Sequence, residues 1–149
     1  CHFLVEVLQH ALPTVSWHDN IQEALWLKLF INCAINPLTA LYQCENGQLG
    51  EPLFRAKWQA LLDEMMWVIE AEQLNYSRDD LHEIILGVIN ATSANRSSMH
   101  QDIANQRQTE IDYITGYLLN VGKRHQIELP LHQQLFDQIK EIEQKGLTQ

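Results

Sequence analysis

The sequence is poor in the features that stabilise a small cross-linked chain. Its 149 residues hold three cysteines, Cys1, Cys33 and Cys44. The number is odd and no C-x-x-C pair occurs, so neither a disulfide framework nor a zinc knuckle is expected, and a reducing cytoplasm is the natural setting. Positive charge is also scarce: ten Lys and Arg stand against nineteen Asp and Glu, a formal net charge of −9. A nucleic-acid backbone wants clustered cations, so a nucleic-acid partner is not expected. The six glycines are dispersed. With neither G-x-G-x-x-G nor G-x-x-x-x-G-K-[ST], nothing in this chain cradles a pyrophosphate. The seven histidines are scattered without an H-E-x-x-H or similar pair, and no metal is expected. Internal repeats, low-complexity runs and convincing strand patterns are lacking too.

Hydrophobic residues make up 46% of the chain and charged residues 19%. Those proportions suit one globular domain, and a chain of this length can bury about 70% of its unfolded surface without staples. Three Asn-x-Ser/Thr sequons, at Asn75, Asn90 and Asn95, are read as chance because no signal peptide is in view. Positions 24–42 tempt a membrane reading, being apolar except for Lys28, Asn32, Asn36 and Thr39. A lysine near the centre of a span costs about 2.5–3.5 kcal/mol, and Pro37 is expected to break the helix. The segment is therefore expected to be a buried helix of a soluble protein.

Nearly every segment has a helical period, so the fold class is expected to be all-α. A short helix is expected over His2 to Ala11, ending near Pro13. Asp19 with Gln22 gives a cap pair for a helix to about Ile35, with one or two further turns over 37–43 before the turn signal Asn46-Gly47. Phe54, Trp58, Leu61, Met65 and Val68 follow a 4-3-4-3 rhythm. Ser77 with Asp80 caps the next helix, whose buried stripe is Leu81, Ile84, Ile85 and Val88. Ile111, Ile114, Leu118 and Val121 form another stripe. Pro130 suits the first turn of the last helix, with Leu131, Leu135, Phe136, Ile139 and Ile142 inward and Glu141 and Glu143 on a solvated face. The methionines and aromatics in these stripes are expected in the core.

Chemistry concentrates in two places. Lys28, Asn32 and Asn36 recur every four residues, each turned about 40° from the last, near one face of a helix. Polar groups in an otherwise apolar helix need partners. Either water or a small polar ligand supplies them, or Lys28 snorkels outward and the asparagines cap neighbouring helices. The second place is Ser97-Ser-Met-His-Gln-Asp102 followed by Thr109-Glu-Ile-Asp112. Ser97 or Ser98 can open a helix as its cap, and Glu110 can occupy a first turn or face inward beside Ile111 and Ile114.

Four blocks together carry a resemblance: Trp-Leu-Lys-Leu-x-x-Asn-x-x-x-Asn-Pro-Leu-Thr-Ala over 26–40, Asn46-Gly47, Ser-Ser-Met-x-Gln-Asp over 97–102 and Thr-Glu-Ile-Asp over 109–112. In order and spacing the sequence resembles the carboxy-terminal domain of the ketopantoate reductases (2-dehydropantoate 2-reductases), with Gly116 and Pro130 following. The match covers essentially the whole chain. It implies a multi-helix bundle like the carboxy-terminal domains of these enzymes and of 6-phosphogluconate dehydrogenase. It also implies NADPH, held mainly by an amino-terminal Rossmann domain that this chain lacks, and reduction of ketopantoate to pantoate on the way to pantothenate and coenzyme A. Carried over residue by residue, Lys28 matches the general acid, and Asn32 and Asn36 match the asparagines that hold substrate. Asn46 and Ser98 match further substrate-side positions, and Glu110 matches the glutamate beside the new hydroxyl and the cofactor.

The residue types suit that chemistry. Negative charge builds on oxygen as hydride adds to a ketone, and an ammonium can stabilise it and give the proton. A lysine among Leu, Phe and Ile is expected to be partly desolvated, which favours proton release. With that domain absent, the chain is expected to be a fragment rather than a gene product that has lost its first domain, inactive alone but able to pair with its own Rossmann domain. A homodimer is a further outcome, since surface left by a missing partner can self-associate. The alternatives are a domain of a reductase for another 2-keto acid and a helical interaction or dimerisation module.

Overall fold

A computed structural model describes residues 21–147. The helix expected over His2 to Ala11, the Asp19 cap and Cys1 lie outside the described residues. Six α-helices and two short 3-10 turns follow, and among the described residues there is no strand. They are α1 (Ile21–Tyr42), a turn at Asn46–Gly50, α2 (Pro52–Ala71), α3 (Arg78–Ala91) and α4 (Ser98–Ala104), then a turn at Ile111–Tyr113, α5 (Thr115–Arg124) and α6 (Pro130–Leu147).

α1 is the axis of the bundle and packs against α2, α3, α4 and α6. By length and composition it could cross a membrane, but 56% of its apolar window is buried inside the protein. It is the core helix the sequence called for. Leu27, Phe30, Ile31, Cys33, Ala34, Ile35, Leu38 and Ala40 all lie in the core.

Pro37 does not break α1, contrary to expectation; the helix runs through it to Tyr42. An interior proline costs about 3 kcal/mol through its missing N–H and its clash with the preceding turn. Burying a side chain such as Ile35 or Leu38 returns about 1.5–3 kcal/mol each, so packing outweighs the defect. The Thr39 hydroxyl helps by donating to the carbonyls of Ile35 (3.1 Å) and Asn36 (3.0 Å).

The other stripes fold as their spacing requires. Trp58, Leu61, Met65 and Val68 are buried, with Phe54 partly so, and the Trp58 indole donates to the Leu49 carbonyl at 2.8 Å. Ser77 caps α3 by accepting from the Asp80 amide. Leu81, Ile84, Ile85 and Val88, and likewise Ile111, Ile114, Leu118 and Val121, are core residues. Cys33 and Cys44 are free and buried.

α6 departs from its expected face in two positions. Leu131 is 38% exposed, whereas its neighbour His132 is fully buried. The reason is Glu64 of α2, a buried carboxylate that accepts from the backbone amides of Leu131 (2.8 Å) and His132 (3.2 Å) and from His132 Nδ1 (2.8 Å). It satisfies two of the orphan donors of the α6 N-terminus and complements the positive end of the helix dipole. Burial alone pushes the Glu64 carboxyl up, but the hydrogen bonds from His132 and the two amides win and hold it below its ordinary value. Glu143 is likewise not on a solvated face; it is buried, for reasons that concern the site.

Candidate functional site

Because α1 is continuous, the four-residue spacing of Lys28, Asn32 and Asn36 is preserved over about 12 Å of helix. Lys28 is exposed, and Asn32 and Asn36 are half-buried. The desolvation expected for Lys28 is therefore absent. Leu27 and Ile31 turn into the core, and the helical rotation that buries them carries Lys28 outward. The asparagines do not cap neighbouring helices: among the described residues, no hydrogen bond or ion pair engages the Lys28 ammonium or either carboxamide. An ammonium and two amides thus stand along one helix without partners among the described residues.

The second element is a polar seam where the C-terminal half of α1 meets α4. The Thr39 and Ser97 hydroxyls lie 2.7 Å apart, and Ser97, rather than Ser98, caps α4 by accepting from the His100 amide at 3.0 Å. His100 Nδ1 lies 2.9 Å from the Cys44 carbonyl. Ser98 is the first residue of α4 and is exposed. The seam continues into the Asn46-Gly47 turn, whose amides donate to the carbonyls of Asn95 (2.9 Å) and Ser93 (3.0 Å). Gly47 has no room for a side chain, since a Cβ there would sit 2.7 Å from Ser93 Cβ. Asn46 is buried, its Nδ2 donates to the Thr92 hydroxyl at 3.0 Å, and its buried Oδ1 has no partner among the described residues. Asn36, Asn46 and Ser98 thus flank one hydrogen-bonded seam.

Glu110 sits at the entry of the Ile111–Tyr113 turn. It is exposed, not directed inward; its backbone carbonyl, not its side chain, accepts from Tyr113 and Ile114. The segment is pinned from α6: the buried Glu143 carboxylate accepts from the Thr109 amide at 2.9 Å and from its hydroxyl. Lys140 bridges Glu143 (3.3 Å) and Asp112 (3.2 Å). A groove of about 510 Å³ lined in part by Leu25, Trp26, Leu29, Tyr113 and Tyr117 lies between the first turns of α1 and residues 113–117, and neither Lys28 nor Glu110 lines it. The Trp26 and Tyr117 rings meet there at 6.0 Å.

The roles of Glu64, Thr39, Glu143 and Thr109 escape a reading of the sequence, because their partners lie 34 to 68 residues away. Thr39 carried a signal as a polar residue in an apolar helix, and Thr109 as the first residue of the Thr-Glu-Ile-Asp block. Among the described residues, no group of three His, Cys, Asp or Glu side chains could hold a metal ion.

Residues 20–143 match the family model described as ketopantoate reductase PanE/ApbA C terminal. The chain belongs to the ketopantoate reductase family, as its carboxy-terminal domain. Within that family the chain is 49% identical over 144 residues to a 2-dehydropantoate 2-reductase of Vibrio cholerae, covering 97% of this chain and 49% of the relative. The corresponding Salmonella typhimurium protein is 45% identical over 141 residues, covering 95% and 46%. The chain thus spans about half the length of the curated ketopantoate reductases it matches. The crystal structure of a PanE/ApbA family ketopantoate reductase from Ralstonia eutropha superposes with a TM-score of 0.79 at 31% identity, over 87% of this chain and 43% of that one. A D-mandelate dehydrogenase solved with NADH and anilino(oxo)acetate gives the same TM-score at 23% identity, over 86% and 42%, a likeness of fold alone.

Proposed function

We propose that this chain is the substrate-binding and proton-donating domain of an NADPH-dependent 2-dehydropantoate 2-reductase. The observation that carries the reading is the row of Lys28, Asn32 and Asn36 along α1, without side-chain partners among the described residues, in a chain 49% identical to an enzyme of that name. In this reading the amides of Asn32 and Asn36 donate to the oxygens of the small anionic 2-keto acid without adding a competing charge. Asn46 and Ser98 complete its polar surround, and Glu110 accepts from a hydroxyl and so orients the ligand. Lys28 faces the keto oxygen, stabilises the negative charge that develops there, and gives the proton that completes the alcohol.

The cofactor fits this chain at one end only. Glu110, exposed on its turn, suits a position beside the reacting end, whereas no glycine-rich loop holds phosphates and the net charge is −9. When bound, NADPH supplies the hydride; its main grip belongs to a Rossmann domain outside this chain. Closure of that domain over α1 would supply the dry surroundings that the exposed Lys28 does not have here. The isolated chain is accordingly expected to be inactive.

A second reading, a reductase for another 2-keto acid, draws on the D-mandelate dehydrogenase that shares the fold, since fold does not fix substrate. The test joins this chain to the remaining half of the Vibrio cholerae relative and measures NADPH oxidation against a panel of 2-keto acids. The expected result is a kcat/KM for 2-dehydropantoate at least about tenfold above every other member, a gap one or two well-placed polar contacts supply. Equal or better turnover of an aromatic 2-keto acid would move the assignment to the second reading.

A further inference from the structure

Thr39 is fully buried in α1, among side chains where a hydroxyl costs stability unless it is bonded. It is bonded three ways: to the carbonyls of Ile35 and Asn36, and to Ser97 Oγ at 2.7 Å. One arrangement of protons satisfies every contact. The His100 amide can only donate, so Ser97 Oγ accepts from it. Ser97 then donates to Thr39 Oγ1, and Thr39 shares its single proton between the two carbonyls of its own helix. The result is a directed relay from the first turn of α4 to the carbonyl of Asn36.

The two ends of the relay are next to two positions of the proposed substrate site. Asn36 contributes the last acceptor, and Ser98 follows Ser97 in the chain. Apolar packing between α1 and α4 would tolerate small slides, because dispersion contacts are weak singly and undirected. A hydrogen bond of 2.7 Å between two buried hydroxyls tolerates little, since its strength falls steeply with distance and angle.

Resting on the function proposed above, we infer that Thr39 is a positioning residue for substrate binding: through Ser97 it fixes the first turn of α4 against α1 and so sets the distance between Asn36 and Ser98. Thr39 does not touch the substrate. Valine has nearly the same shape, so Thr39→Val removes the relay and leaves the packing in place. It also leaves the Ser97 hydroxyl without its acceptor, which lets α4 shift.

The test uses this chain joined to the remaining half of the Vibrio cholerae relative. Thr39→Val should raise KM for 2-dehydropantoate about tenfold with kcat within about twofold, the signature of lost uniform binding. KM for NADPH should not move, and Thr39→Ser should restore the parent value. A merely structural role would lower active protein without changing KM. If Thr39→Val does not yield folded protein, Ser97→Gly takes its place, because glycine at a helix N-cap costs only a few tenths of a kcal/mol and the relay hydroxyl is gone. Lys28→Ala, measured alongside, separates the two claims. An unchanged KM in Thr39→Val or its substitute, with Lys28→Ala still inactive, overturns the positioning role and leaves the function standing. Full activity in Lys28→Ala overturns both.

Discussion

Lys28→Ala, in this chain joined to the remaining half of the Vibrio cholerae relative, is expected to lower kcat for 2-dehydropantoate reduction about a thousandfold. A positioned general acid contributes about 10²–10⁴-fold, and the loss of its charge beside the developing alkoxide adds to the same step. The loss should fall on kcat more than on KM, because proton transfer and charge stabilisation belong to the transition state. Lys28→Arg should not rescue, since a guanidinium keeps its proton through the whole accessible range. Stability should hardly change: Lys28 is exposed and leaves no partner behind among the described residues, and surface substitutions of that kind stay within about 0.5 kcal/mol. A thermal melt beside the kinetics separates lost chemistry from lost fold.

The largest effect on stability is expected far from the catalytic row. Glu64→Ala leaves two amides of the α6 N-terminus and a fully buried imidazole without their acceptor. Removing one partner of a buried pair costs about 3–5 kcal/mol. For a domain of this size each kcal/mol moves Tm by about 2–4 °C, so the melting midpoint should fall by about 10 °C. The deficit should depend on pH with a definite sign. The Glu64 carboxyl is held below its ordinary value of 4.5 in the folded protein, so its contribution is whole above that pH and fades as pH drops through the lower folded value. The gap between parent and Glu64→Ala in urea midpoint should therefore be constant near neutrality and narrow in acid. A gap that stayed constant or widened in acid would contradict that role of the Glu64 carboxylate.

The sequence reveals the helices and misreads some of their faces, for a consistent reason. Periodic burial is a local property, so Trp58 through Val68 and Leu81 through Val88 could be assigned inward by spacing alone. Ser77 could be read as a cap because its acceptor role reaches only three residues. Pro37 misleads because its local cost is visible in sequence while the compensating burial of Ile35 and Leu38 is not. Leu131 and Glu143 were misplaced because their settings are decided by Glu64 and Thr109, which lie far away in the chain. A carboxylate buried by distant donors looks, residue by residue, like any surface glutamate.

The site divides along the same line. The spacing of Lys28, Asn32 and Asn36 could be read directly, and the structure keeps it on one unbroken helix. Which side of that helix is open could not, and Lys28 is exposed where desolvation was expected. The second block left Ser97 and Ser98 as alternatives for one cap; the His100 amide chooses Ser97 and leaves Ser98 outward. The meaning of the pattern came from the four blocks taken together, since a lysine and scattered amides on a helix specify no chemistry by themselves.

The most direct measurement is a titration of pantoate into the isotopically labelled chain, followed by NMR of the asparagine side-chain amides and the backbone. The account predicts saturable shifts in the carboxamide resonances of Asn32 and Asn36 and in the Ser98 amide, all with one dissociation constant. Those three signals standing still, while saturable shifts develop elsewhere or nowhere, would contradict it.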